Sequence, residues 1–219
     1  MEMLILPVHQ TVVLETPKTG SLALRAMLAP YTVPQSDKAP RHIGHDAFRR
    51  NFAPDLVMGF GRLPQTVAVV RAPLERMQSW YRYRRRPQLK GLPASTLGVS
   101  FEGFMLAYLE GGRPEMANVG RQDRFVGWDG VHARVDHLFD YAQLSLLEQF
   151  FSALTGDALT LPERNKTPKR VRADYTISAE VLERFTTDNS AELAMYGAVA
   201  AAGHLMRPGS GAKFSSWAH

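Results

Sequence analysis

The sequence predicts an α/β protein of three layers, a central parallel sheet flanked by helices. Short β-branched runs alternate with longer segments whose apolar residues recur at helical spacing. Twice, such a run passes through a tight turn directly into a helix. At 219 residues, 45% apolar and 21% charged, the chain has material for one sizeable core and not for two. In a sheet of this kind, ligands bind beyond the carboxyl ends of the strands.

Taken in order, "MEMLILPVHQ" lacks a basic leader region, and its apolar run falls well short of the roughly 20 residues that span a bilayer. The expectation is a cytoplasmic chain with no membrane span. Residues 11–15 read as a buried strand and 20–29 as a helix with Leu22, Leu24, Met27 and Leu28 as its apolar positions. Residues 31–64, rich in Pro, Gly, His and Arg, predict an irregular excursion with one short helix near "HDAFRRNF". "QTVAVVR" at 65–71 is a central strand, and Pro73 opens the helix after it, with Leu74, Met77 and Tyr81 on one face.

A surface loop at 87–99 precedes helical patterns at about 100–110 and 117–127. "ARVDHLFDY" at 133–141 is the third strand, and "LSLLEQFFSALTG" a helix closed by Gly156. A basic, proline-punctuated linker, "LPERNKTPKRVRADY", leads to a long helix capped by Ser178. Residues 1–203 form the single domain, and 204–219 a flexible tail.

There is no cysteine, which removes disulfides, thiolate metal sites and sulfur redox chemistry. The net charge of +5 and a pI near 9.6 favour an anionic partner: a nucleotide, an acidic glycan, nucleic acid or a membrane surface.

The turn Pro17-Lys18-Thr19-Gly20-Ser21 holds the first candidate residues. A helix N-terminus presents free N–H groups and the positive end of a dipole; Gly20 permits close approach, Thr19 and Ser21 carry hydroxyls, and Lys18 adds a full charge. That set is a phosphate cradle, or a plain turn with an exposed lysine. It is not a Walker A loop, since the lysine precedes the glycine, so a kinase-type ATP site is disfavoured. Arg71 ends the second strand and Ser79 lies on the helix that Pro73 opens. Either Arg71 is a surface arginine paired with Glu75, or its guanidinium fork and the Ser79 hydroxyl hold a second phosphate.

On these residues a resemblance rests. "TPKTGSLALRAML" resembles the 5′-phosphosulfate loop, and "VAVVRAPLERMQSWYRY" the 3′-phosphate segment, of sulfotransferases that use 3′-phosphoadenosine 5′-phosphosulfate (PAPS), nearest the carbohydrate branch with the heparan and dermatan sulfate 2-O-sulfotransferases. Weaker similarity continues through "GRQDRFVG", "VDHLFDYAQL" and "ERNKTPKR". The resemblance implies a P-loop-like sheet, PAPS as donor, no metal, and in-line sulfuryl transfer to a hydroxyl of a carbohydrate or small molecule. It implies that Pro17, Lys18, Thr19, Gly20 and Ser21 bind the 5′-phosphosulfate, with Lys18 neutralising the departing oxygen. Arg71 and Ser79 would grip the 3′-phosphate, and Lys166, Thr167 and Lys169 belong to a loop that closes over the nucleotide. Ala72 departs from the polar cap common in the family.

An acceptor hydroxyl needs a base, and "RHIGHDAF" supplies His42 and His45, placed like the Gly-His segment of the 2-O branch. His45, after the glycine, is the first choice and His42 the second; a histidine titrating near pH 6.5 suits this work. The spacing H-x-x-H without further ligands argues against zinc. The run Arg82, Arg84, Arg85, Arg86 and Lys90 is either a solvated helix end or a face toward an acidic glycan, and Trp80, Tyr81 and Tyr83 are core and rim packing. Two other functions remain open: a non-catalytic basic binder of nucleic acid or acidic glycan, and an atypical ATP-dependent phosphotransferase. Under the sulfotransferase reading no nucleic acid is expected as a partner.

Overall fold

A computed structural model describes residues 3–33, 40–162 and 173–210. Five strands form one mixed sheet in the order β1 (Leu4–Leu6), β2 (Thr11–Val13), β3 (Gln65–Val70), β4 (His137–Asp140) and β5 (His204–Met206). The central strands β2, β3 and β4 are parallel, as expected, with Val13 opposite Val67 and Val70 opposite Asp140. The outer strands are antiparallel, which corrects the all-parallel expectation. β1 folds back onto β2 through a turn in which the Gln10 amide donates to the Pro7 carbonyl (3.0 Å). β5 belongs to the stretch after Gly203 that was expected to be a flexible tail. Leu205 pairs with Leu138, and the Asp140 amide donates to the Gly203 carbonyl (2.9 Å).

Side chains alternate across the pleat, and the helices fill both faces. Val13, Val67, Val69 and Phe139 pack against α1 (Ser21–Leu28) and α7 (Leu144–Thr155) through Leu24, Met27, Leu28, Phe150 and Phe151. Val12, Ala68, Val70 and Leu138 face α2 (His45–Asn51), α3 (Ala53–Phe60), α6 (Gln122–Val126) and α9 (Ser190–Ala202) through Phe48, Ala53, Val126, Met195 and Val199. A third cluster, lateral to the sheet, joins α4 (Pro73–Arg84), α5 (Phe101–Leu109) and α8 (Ala179–Asp188) around Met77, Tyr81, Phe104 and Tyr108. On α1, Leu22 is exposed rather than apolar-faced.

The helix ends follow their caps. Ser178 accepts from the Val181 amide, and Gly156 closes α7 in the left-handed conformation at φ 82°. The long helix expected after Ser178 is two, α8 and α9, divided at Asn189. Its amide side chain donates to the Phe185 carbonyl (2.8 Å) and accepts from the Tyr108 hydroxyl (2.8 Å). Among the described residues no helix is long and apolar enough to cross a membrane.

Candidate functional site

The loop from β2 to α1 emerges at the carboxyl end of the parallel strands. Leu14 still pairs with β3, its amide donating to the Val67 carbonyl (2.8 Å), and Glu15 and Thr16 follow with their side chains buried. The Thr19 hydroxyl donates to the Thr16 carbonyl (2.7 Å), so it closes the turn instead of offering itself to a ligand. Lys18 adopts φ +73°, a conformation that costs a non-glycine residue about 1–3 kcal/mol. Gly20 has φ +78°, and a Cβ there would meet the Tyr141 ring at 3.1 Å. The Gly20 carbonyl accepts from the Ala23 and Leu24 amides, which leaves the Ser21 and Leu22 amides at the open, positive end of α1.

The Lys18 side chain lies on α4. Its Nζ is 4.2 Å from the Tyr83 ring centroid and 5.6 Å from that of Trp80. Burial first, and then the charges of Arg86, Arg82, Arg71 and Arg84, push its pKa down to about 8. Arg71, directly after β3, donates from Nε and Nη2 to Glu75 (3.2 and 3.1 Å) and stacks on Tyr141, its Cζ 4.6 Å from the ring centroid. The pairing with Glu75 expected of a surface arginine is therefore present. Glu75 is largely exposed, and an exposed i,i+4 pair contributes only about 0.3–0.5 kcal/mol, little enough for an anion to displace.

Glu75, Ser79 and Tyr83 recur every fourth residue and so share one stripe of α4. Arg71 holds one end of that stripe and Lys18 the other, with Ser79, half-buried, between them. Along the helix axis Glu75 and Tyr83 are about 12 Å apart.

Gln122, which the sequence did not single out, fixes the backbone of Arg71 from both sides. Its Oε1 accepts from the Arg71 amide (2.9 Å) and its Nε2 donates to the Arg71 carbonyl (2.8 Å). The same Nε2 reaches Glu192 of α9 (2.9 Å), which also receives Arg76 of α4 (3.2 Å).

Beside the loop, the buried Glu15 carboxylate is paired with both Arg25 of α1 and Arg41. Arg41 Nη2 also donates to the Ser21 hydroxyl (2.7 Å). His42 is exposed, and its Nδ1 lies 2.7 Å from the Glu15 carbonyl oxygen. A carbonyl only accepts, so Nδ1 carries the proton and Nε2 keeps its lone pair.

His45 is elsewhere. It is buried beside Gln65, Thr66 and Asp136, at the amino ends of β3 and β4, while Lys18 and Arg71 stand at the carboxyl ends. The structure therefore brings together Pro17, Lys18, Gly20, Ser21, Arg71, Ser79 and His42, and separates His45 from them. Lys166, Thr167 and Lys169 lie outside the described residues.

The basic run on α4 divides by residue. Arg84 is buried and donates to the Asn118 carbonyl (3.3 Å), Arg82 donates to the Tyr175 hydroxyl (2.7 Å), and Arg86 stacks 4.6 Å from the Tyr83 ring. Tyr81 is a core residue, whereas Tyr83 is a partly open ring between two cations.

Two buried polar atoms near Lys18 have no hydrogen-bond partner among the described residues: Thr16 Oγ1 and Trp80 Nε1. Each such group costs about 1–3 kcal/mol, which native interiors rarely leave unrelieved. The open amides of α1, the Ser21 hydroxyl, Lys18 and Arg71 together form an electropositive surface suited to an extended polyanion. Among the described residues no cluster of three His, Asp or Glu side chains could hold a metal ion.

Tyr141 and Gln122 were missed in the sequence. Tyr141 sits at the carboxyl end of the third strand, the one signal that marked it. Compared with models of protein families, with curated proteins and with solved structures, the chain matches none.

Proposed function

We propose that the chain is a cytoplasmic PAPS-dependent sulfotransferase with a P-loop-like nucleotide site, acting on a hydroxyl of a carbohydrate or small molecule. The observation that carries this reading is the α4 stripe, which puts Arg71, Ser79 and Lys18 in line at the carboxyl end of the sheet. Two cations so separated match a ligand with two separated anionic groups. The 3′-phosphate would lie against Arg71 and Ser79, with Arg71 exchanging Glu75 for it. The 5′-phosphosulfate would lie at the Ser21 and Leu22 amides with Lys18 beside it. The donor supplies the sulfuryl group and a stable leaving phosphate.

The chain's own part is alignment and charge. Lys18, held by Trp80 and Tyr83, meets the negative charge that gathers on the departing oxygen. The tautomer that Glu15 sets at His42 leaves Nε2 to take the acceptor's proton, so His42 replaces His45 as the base in this reading. Lys166, Thr167 and Lys169, which lie outside the described residues, would add to the nucleotide contacts in this reading. Arg86 and Tyr83, beside Lys18, favour an acidic glycan as acceptor.

Calorimetric titration of 3′-phosphoadenosine 5′-phosphate (PAP) and of AMP tests the reading, because the two differ only in the 3′ group. Charge-assisted hydrogen bonds to that group should make PAP roughly 10- to 150-fold tighter. Arg71→Ala should collapse the difference, with the melting temperature as the folding control. Equal binding of AMP and PAP by the unaltered protein would remove the 3′-phosphate site and the sulfotransferase reading with it.

A further inference from the structure

At the other end of the sheet lies a cavity of about 520 Å³ that the sulfotransferase reading does not use. It is walled by His45 and Arg49 of α2, Arg62 and the residues leading into β3, Thr66, Arg134 and Asp136 ahead of β4, and Arg207 after β5. Four arginines and one carboxylate thus line it. That carboxylate is fully engaged: Asp136 Oδ2 accepts from the Thr66 amide and hydroxyl (2.8 Å each), and Oδ1 accepts from Arg207 (2.6 Å). Asp46 engages Arg134 (3.1 Å). Arg62 donates to Gln10, an uncharged partner, and neither Arg49 nor Arg62 has a carboxylate partner among the described residues.

His45 adds a largely buried imidazole, its side chain 11% exposed, with Nδ1 3.1 Å from Asp46 Oδ1. Asp46 therefore takes the Nδ1 proton, and Nε2, the ring nitrogen left for the cavity, donates to a phosphoryl oxygen once the imidazole takes up a second proton, which a dianion beside it favours. Two uncompensated guanidinium forks next to a buried imidazole make a site for a compact dianion, because Arg presents paired donors that match a phosphoryl group. The volume exceeds what a bare ion needs and falls in the range of small-molecule sites. Gln65 stands at the wall for a ligand hydroxyl, while the Thr66 hydroxyl is committed to Asp136. We propose that this cavity is a second anion site, which takes the phosphoryl group of a small phosphorylated metabolite between Arg49, Arg62 and His45. The length of β3, about 20 Å, separates it from Arg71, so the two sites are independent.

Amide NMR titrations with glucose 6-phosphate, inorganic phosphate and unphosphorylated glucose test this on the full chain. Glucose 6-phosphate should shift the His45, Thr66 and Asp136 amides saturably, inorganic phosphate should do so more weakly, and glucose not at all. Arg49→Gln combined with Arg62→Gln, both exposed positions, should weaken the sugar phosphate tenfold or more (roughly 1.4 kcal/mol or more) while the melting temperature holds. Shifts confined to Gly20 and Ser21 would overturn the proposal, as would no saturable shift in the unaltered protein. Unchanged affinity in the doubly substituted protein would overturn it as well.

Discussion

At Lys18 a left-handed backbone, a half-buried ammonium and a crowd of arginines act on one side chain. Alanine there loses the charge without disturbing the core, so under the proposed function Lys18→Ala should stay folded and lose sulfuryl transfer by roughly 100- to 1,000-fold in kcat. A folded variant with near-normal turnover sinks that role. The depressed pKa adds a test by linkage. Free Lys18 begins to lose its proton near pH 8, and a bound dianion restores it by raising the pKa again. PAP binding between about pH 8 and 9 should therefore take up protons and weaken as the pH rises; calorimetry in buffers of different ionisation enthalpy measures the uptake. Without ligand the sign for stability follows from the same shift: the unfolded lysine binds its proton more tightly, so this group favours the fold increasingly from pH 8 toward 10.5. For the base, His42→Ala should lose more transfer than His45→Ala while still binding PAP, by about 100- to 10,000-fold. The reverse ranking in a single-turnover assay would return the base to His45.

The elements meet most tightly where α9 turns into β5. Gly203 has φ +73°, its amide donates to the Val199 carbonyl (2.7 Å), and its carbonyl receives the Asp140 amide. A Cβ there would stand 2.5 Å from Leu146 Cδ1 and 2.8 Å from Gln143 Oε1. Both strain and collision oppose a side chain, so Gly203→Ala should destabilise by about 1–3 kcal/mol, read as a lower urea midpoint at unchanged slope. Equal stability would mean that β5 does not depend on this turn. At the start of α8, Ser178→Ala removes the bond to the Val181 amide and should cost about 1 kcal/mol.

Across the whole molecule, the histidines make the fold acid-sensitive. His137 of β4 is buried between Phe150 and His204, and burial with the nearby His204 pushes its pKa down to about 4. His204, stacked 4.1 Å from Phe139, and His45 are also lowered, chiefly by burial. An unfolded histidine takes its proton near pH 6.5, before the folded one does. Stability contributed by neutral His137 is therefore present above pH 6.5 and is lost as the pH falls toward 4. Urea unfolding at pH 7 and pH 5 should show a clear loss at the lower pH, and His137→Phe should flatten that dependence. A pH-independent midpoint would contradict the burial of these rings.

The sequence alone determined the alternation of β2, β3 and β4 with helices, the turn at Lys18, the opening of α4 at Pro73 and the caps at Ser178 and Gly156. Each of these is written in neighbouring residues: β-branched runs, a proline with its fixed φ, a hydroxyl three residues before the amide it caps, a glycine free to adopt positive φ. β1 and β5 escaped because three residues make no period, and their pairing depends on Val12, Val13 and Leu138 lying opposite them. Only the tertiary structure decided the rest of the candidate site. Gln122 reaches Arg71 across 51 positions, and Glu15 gathers Arg25, Arg41 and the neighbourhood of His42. It also parted His42 from His45: α2 starts at His45 and its buried face carries that ring toward the amino ends of the strands, while His42, still ahead of the helix, stays against the Glu15 carbonyl. Three positions in sequence state which histidines are near each other, but the end of the sheet each one serves depends on packing between residues far apart in the chain.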